Sequence, residues 1–239
     1  KLIRMISHTA AWAQQDLKDG IALRGRPNGG GVSMHQVLAT AFGGTDKSQW
    51  NERATQEFGE YLIARRAIHQ YVRFRPAFRQ QIQQFVAANP SLAFILQRLP
   101  NNLTPELEQP PTKESLTHQL MKLKALEERQ PQFRQAAELY YAFNRDIIRF
   151  LHEKQLITKE ERDEYLRDRD YAPFQRDMSD KEPARGEKSA SKRPGRAADT
   201  ANKNDVYRRF EGSMRDIINP IQSTSQLVYE MRLRAAIND

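Results

Sequence analysis

The stretch Phe133-Arg-Gln-Ala-Ala137-Glu-Leu-Tyr140-Tyr-Ala-Phe-Asn144-Arg-Asp-Ile147-Ile-Arg-Phe-Leu151 sets Phe133, Ala137, Tyr140, Asn144, Ile147 and Leu151 at spacings of three and four. Side chains at those intervals share one face of a 3.6-residue helix, so the stretch reads as a long amphipathic helix with that stripe turned to a core.

The same period extends in both directions. Pro131 separates this helix from one covering roughly 113–128, where Leu116, Leu120, Leu123 and Leu126 are in phase and Thr112 precedes an acidic first turn containing Glu114. Downstream, Thr158-Lys-Glu-Glu161 fits a capping box, with Leu156-Ile157 as a staple, opening a helix that runs to about Arg169. Upstream, a helix from about Ser48 to Arg73 carries Phe58, Tyr61, Leu62, Ile68, Tyr71 and Val72 on a stripe expected to be buried, with Arg66 and Arg73 on another. Pro76 permits a fresh start through Phe78, Ile82, Phe85 and Val86 as far as Asn89-Pro90, and a short apolar helix from Leu92 to Leu99 follows. The stretch from Pro100 to Pro111 reads as connector, with one helical turn at Thr104-Pro105-Glu106.

At the N-terminal side, Ile3, Ile6, Ala10, Ala13 and Leu17 mark a helix within Ile3 to Leu23, broken by the glycine-rich stretch Gly25 to Gly31. Ser33 is placed to cap a short helix with Val37, Leu38 and Phe42, ended by Gly43-Gly44. Near the other end, Ile217-Ile218-Asn219-Pro220-Ile221 leads into a last amphipathic helix with Leu227, Met231 and Leu233. No strand pattern interrupts this series. The expected fold is all-α, an irregular and partly extended multi-helix arrangement.

Between Met178 and Lys203 nearly every residue is charged, small, glycine or proline, which offers almost no apolar area against the entropy of ordering. A disordered basic linker near 178–203 is therefore expected. The organisation follows as N-terminal helices and glycine-rich connector over 1–45, a helical core module over 46–176, the linker over 177–203 and a C-terminal helical segment over 204–239. The chain opens on Lys1, and the expectation is a segment of a longer polypeptide.

Across 239 residues the mean hydropathy is −0.79 and the formal charge +8, a balance that favours anionic partners. The absence of cysteine excludes disulfides and thiolate chemistry. His8, His35, His69, His118 and His152 are too dispersed for a helical ligand pair, and Glu160, Glu161, Asp163 and Glu164 miss the ligand spacing of a calcium loop, so neither metal nor cofactor is expected. No apolar run reaches the roughly 20 residues of a spanning helix, and the chain is expected to be soluble. Gly25 to Gly31 lacks the ending of a phosphate loop. Glu114-Ser115 and Ala142-Phe143-Asn144 faintly echo a lytic transglycosylase, but the intervening glycine–methionine–glutamine segment is missing, leaving Glu114 better explained by its helix start. Lys188, Lys192, Arg193 and Arg196, with Arg208 and Arg209 beside Tyr207 and Phe210, form the one candidate nucleic-acid-binding set. Tyr71, although next to Arg73 and Arg75, belongs to the buried stripe.

Tyr61-Leu-Ile-Ala-Arg-Arg-Ala67, Phe133-Arg-Gln-Ala-Ala-Glu-Leu-Tyr140, Phe150-Leu-His-Glu-Lys-Gln-Leu-Ile-Thr-Lys-Glu-Glu161, Tyr171-Ala-Pro-Phe-Gln-Arg176 and Ile218-Asn-Pro-Ile221 resemble helical modules in the large polyvalent proteins of phages and mobile elements. The resemblance covers Phe58 to the end, with a divergent middle, and carries no catalytic residues. It leaves open an ejected virion protein, an injected polymerase or a multi-enzyme fusion, and the favoured expectation among them is a non-catalytic structural or ejection module of a phage virion protein, delivered with the genome into the host. Its partners would be other virion or ejection proteins and further copies of the chain, with DNA contacted by non-specific electrostatics. The alternatives are a sequence-independent DNA-binding module of a mobile-element protein and, more remotely, a lytic transglycosylase fragment.

Overall fold

The computed structural model describes residues 2–25, 31–44, 50, 52–99, 111–112, 114–167, 169–172 and 219–238, with side chains in the first helix from His8 onward. The fold is all-α. The elements are α1 (Leu2–Asp19), α2 (Met34–Phe42), α3 (Glu52–Phe74), α4 (Phe78–Ala88), a 3-10 segment (Pro90–Arg98), α5 (Leu116–Arg129), α6 (Gln132–Glu153), α7 (Lys159–Arg167) and α8 (Pro220–Asn238). None of these helices is long and apolar enough to cross a membrane. The expected linker near 178–203, the turn at Thr104-Pro105-Glu106 and the connector glycines Gly29 and Gly30 lie outside the described residues.

Most boundaries follow from local chemistry. The Ser33 hydroxyl accepts from the Gln36 amide at 3.1 Å while the Gln36 side chain takes the Ser33 amide at 3.2 Å, a complete capping box, and Gly43 closes the helix. Thr158 and Glu161 form the reciprocal pair expected of them, at 2.7 and 3.2 Å. Two of these boundaries differ from the sequence reading. Helix α1 stops at Asp19, short of Leu23, because Gly20 adopts φ +90°, which lets the chain turn and bury Ile21 completely. Helix α5 is capped by Ser115, whose hydroxyl accepts from the His118 amide at 3.2 Å, so Glu114 precedes the helix instead of lying in its first turn. The Thr112 hydroxyl is otherwise engaged, donating to the Glu114 carbonyl at 2.9 Å.

The apolar segment after α4 winds as a 3-10 helix from Pro90 to Arg98. Three residues per turn align side chains three apart, so Leu92, Ile95 and Arg98 fall in one line. Leu92 and Ile95 are buried, and Arg98 extends that line to the edge of the core.

Helix α3 lies at the centre. Every residue from Ala64 to Val72 is buried, because α5 covers one side while α8, α6 and α4 meet others. Helix α2 lies along α6, and α1 lies along α8. The stripe read on α6 is buried in full, and a continuous apolar core joins α1, α2 and α8 to α3 and α6. Phe58, Tyr61 and Phe133 form its aromatic centre, with Phe133 centroids 5.1 Å from Phe58 and 5.7 Å from Tyr61.

Helix α8 enters through Asn219. Its side-chain oxygen accepts from the Ile221 amide at 3.0 Å, capping α8, while its amide nitrogen donates to the Thr55 carbonyl of α3 at 3.0 Å. This approach requires Gly59: a Cβ there would stand 2.6 Å from the Asn219 side chain. Gly59→Ala is therefore expected to destabilise the fold by roughly 1–3 kcal/mol in urea unfolding. Because Asn219 is the obstruction, adding Asn219→Ala should make the pair of losses less than additive. Equal losses from Gly59→Ala with and without Asn219 would show that the notch is unimportant.

Candidate functional site in the buried arginine–carboxylate ring

A helix buried on all sides must find partners for each polar side chain it carries, and α3 carries Arg65, Arg66, His69 and Gln70 in its buried span. Arg65 lies in phase with Phe58, Tyr61, Leu62 and Val72, so its side chain enters the core and is 1% exposed. There its Nη2 donates to Asp170 Oδ2 at 3.0 Å, and both terminal nitrogens reach Glu138 Oε1 at 3.3 and 3.4 Å. Arg98 completes the arrangement, donating from Nη1 to Asp170 Oδ1 at 2.6 Å and from Nη2 to Glu138 Oε2. Each carboxylate thus bridges both guanidiniums. The ring is neutral as a whole and links α3, the 3-10 segment, α6 and the turn after α7.

Aromatic rings surround its Arg65 end, whereas the Glu138 side chain at the other end is 40% exposed. The Arg65 guanidinium lies 5.0 Å from the Tyr141 centroid, 5.1 Å from Phe94 and 5.9 Å from Tyr61. Arg66 lies 5.2 Å from the Tyr171 ring. A second pairing adjoins the first: Glu127 on α5 accepts from the Tyr61 hydroxyl and from Arg134 Nη2 at 2.8 Å, and Arg134 stacks 4.2 Å from the same Phe94.

The electrostatics suit a brace. Burial alone would raise the Asp170 carboxyl, but Arg65 and Arg98 outweigh it and hold the group below the usual carboxylate range. Burial likewise opposes the charge of Arg65, and Tyr141 and Asp170 more than offset it. His69 contacts the Arg98 carbonyl through Nε2 at 2.7 Å, so that nitrogen carries the proton and donates. Its burial, reinforced by Arg66, depresses its pKa to about 4 and keeps the ring neutral. Burial pushes the Tyr140 hydroxyl up to about 12. The cleft between Arg65, His69, Phe94, Arg98, Leu123 and Asp170 has room for about one water molecule, against the roughly 300–1,000 Å³ of a small-molecule pocket. Asp170, ionised and engaged on both oxygens, is a brace and a poor proton donor.

Lys188, Lys192, Arg193, Arg196, Arg208 and Arg209 lie outside the described residues. Glu114 is engaged by the helix that follows it, accepting from Gln119 Nε2 at 2.6 Å and Lys122 Nζ at 3.1 Å. Asn144 is instead taken up between α6 and α8, near the Thr224 hydroxyl. Tyr71 is buried as expected and donates to the Glu114 carbonyl. Among the described residues no group of acidic or histidine side chains is arranged to hold a metal ion. Sequence reading missed the ring, although one signal pointed to it, a lone arginine in register with an apolar stripe. Comparison with protein-family models, with curated proteins and with solved structures finds no match.

Removing one member should expose the cost of the others. Asp170→Asn is expected to lower unfolding free energy by up to roughly 3–5 kcal/mol, because Arg65 and Arg98 lose the buried one of their two shared anions and keep only the half-exposed Glu138. A loss under about 1 kcal/mol in urea unfolding would mean that the ring is solvated. His69 supplies a separate pH signature. Its folded pKa near 4 lies below the ordinary 6.5, so between these values the unfolded chain binds the proton and the folded chain does not. Stability should fall as pH drops from about 6.5 to about 4, by up to roughly 3 kcal/mol, whereas the contribution of Asp170 is lost only below its ordinary range. His69→Gln should flatten the urea midpoint across that window, and an unchanged slope would reassign the pH dependence.

Proposed function

We propose that the chain is a non-catalytic helical module of a phage ejection or internal virion protein, one that assembles with other virion proteins and is delivered with the genome. The observation that supports this reading is where the resembling motifs meet. Tyr61, Arg65 and Arg66 come from the first motif, while Phe133, Glu138 and Tyr140 come from the second. Phe150 and the Thr158–Glu161 cap come from the third, Tyr171 from the fourth, and Asn219-Pro220 from the fifth. All but the exposed Thr158–Glu161 cap contribute to the packed framework: Arg65 pairs with Glu138, Arg66 with the Tyr171 ring, and the Tyr140 hydroxyl donates to the Pro220 carbonyl at 3.2 Å. Residues shared for such reasons specify a scaffold, and a scaffold is what a structural module needs to retain.

The reading places the protein in a particle. Antibodies to the chain should detect it in purified particles of the encoding phage and find it depleted after DNA release. Particles lacking it, or emptied particles retaining it in full, would count against the proposal. In the same framework Glu114 precedes α5 and is held by Gln119 and Lys122, so the purified chain should release no anhydro-muropeptides from peptidoglycan and Glu114→Gln should change nothing. Release that disappears in the variant would support the transglycosylase alternative.

A further inference from the structure

Helix α8 is joined to the rest of the chain only through residues 173–218, which separate Asn219 from Ala172, yet its contacts with the body are selective. At its start, Asn219 occupies the Gly59 notch and donates to the Thr55 carbonyl. One turn on, the Thr224 hydroxyl lies 2.7 Å from the Tyr140 hydroxyl, both fully buried. Farther along, Arg232 places Nε and Nη2 on the two oxygens of Asp16 in α1, with its guanidinium 4.6 Å from the Phe150 centroid. Asp16 is 4% exposed in this pair. Val228 and Met231 are completely buried between these polar contacts. The body therefore recognises α8 by a notch, a hydroxyl pair and a bidentate ion pair in fixed order, a specification that is independent of how the chain connects them.

The occupant with the required Asn-Pro start, buried threonine and correctly spaced arginine is α8 of another copy. We propose that α8 is exchangeable, so that the groove formed by α1, α3 and α6 receives Asn219–Asn238 of a second copy and two copies join reciprocally through their C-terminal helices. The proposal stands on these contacts and does not depend on the virion reading. In dilute solution the tethered helix is favoured, since tethering gives an effective concentration on the order of millimolar, and exchange gains as copies become crowded.

Inverting the ion pair in separate full-length chains tests this directly. Asp16→Arg in one chain and Arg232→Asp in another place like charges together within each chain, and only reciprocal exchange brings opposite charges together in both grooves. Each variant alone should melt several degrees below the unaltered chain. Their equimolar mixture should sediment at about twice 27.8 kDa and regain the lost melting temperature. A single chain carrying both substitutions should regain stability without needing a partner. A mixture that remains monomeric overturns the proposal. Should the single variants precipitate even when mixed, the unaltered chain decides: after concentration to about 1 mM it should yield a dimer that survives dilution for hours, and Asn219→Ala should reduce that fraction. An unaltered chain monomeric throughout such a series equally overturns exchange.

Discussion

The fold depends on a constraint set by α3, which is buried around its circumference from Ala64 to Val72 while carrying two arginines, a histidine and a glutamine in that span. A helix in such a position is ordinarily apolar all round. Here each polar side chain must be answered from within the protein, and those answers determine the neighbours. Arg65 calls for the carboxylates of Glu138 and Asp170, Arg66 for the face of Tyr171, and His69 for the carbonyl of Arg98. The turn carrying Asp170, 105 residues from Arg65 in the chain, is held against α3 by this requirement.

Such a ring is not chiefly a source of net stability. Desolvating two guanidiniums and a carboxylate offsets most of their mutual attraction, and apolar side chains of similar volume would often hold the helices together as well. Its contribution is discrimination among packings. Apolar surfaces slide past one another at modest cost, whereas a carboxylate shared by two guanidiniums has one arrangement, and misplacing either helix leaves a charge unpaired in the interior. The Tyr61–Glu127–Arg134 pairing extends the same logic to α5 and, through Phe94, to the 3-10 segment.

The helices were legible in the sequence wherever local chemistry decides them. The α6 stripe, the Ser33 and Thr158 caps and the entry into α8 at Asn219-Pro220 each involve residues within a few positions of one another. Local rules failed where distant contacts intervened. The sequence suggests an ordinary helix at Leu92 to Leu99, but the line that includes Arg98 requires three residues per turn. Arg65 stands in the α3 stripe in plain view, yet its partners lie 73 and 105 residues away, and no spacing rule joins them. Asp170 and Glu138 by themselves resemble any surface carboxylates. The Gly59 notch was equally hidden, since a glycine within a helix does not disclose which side chain will approach it.

The 3-10 segment also acts as a ruler. Each of its residues advances the helix by about a third of a turn, so one insertion or deletion between Leu92 and Arg98 would swing the guanidinium away from Asp170 and Glu138 while leaving composition almost unchanged. An α-helix in the same place would tolerate some slippage, because its neighbouring rows lie closer in angle. The length of this segment is accordingly more tightly constrained than the identity of most residues in it. Among related chains, should they be compared, the distance in sequence from Leu92 to Arg98 is where variation ought to be scarcest.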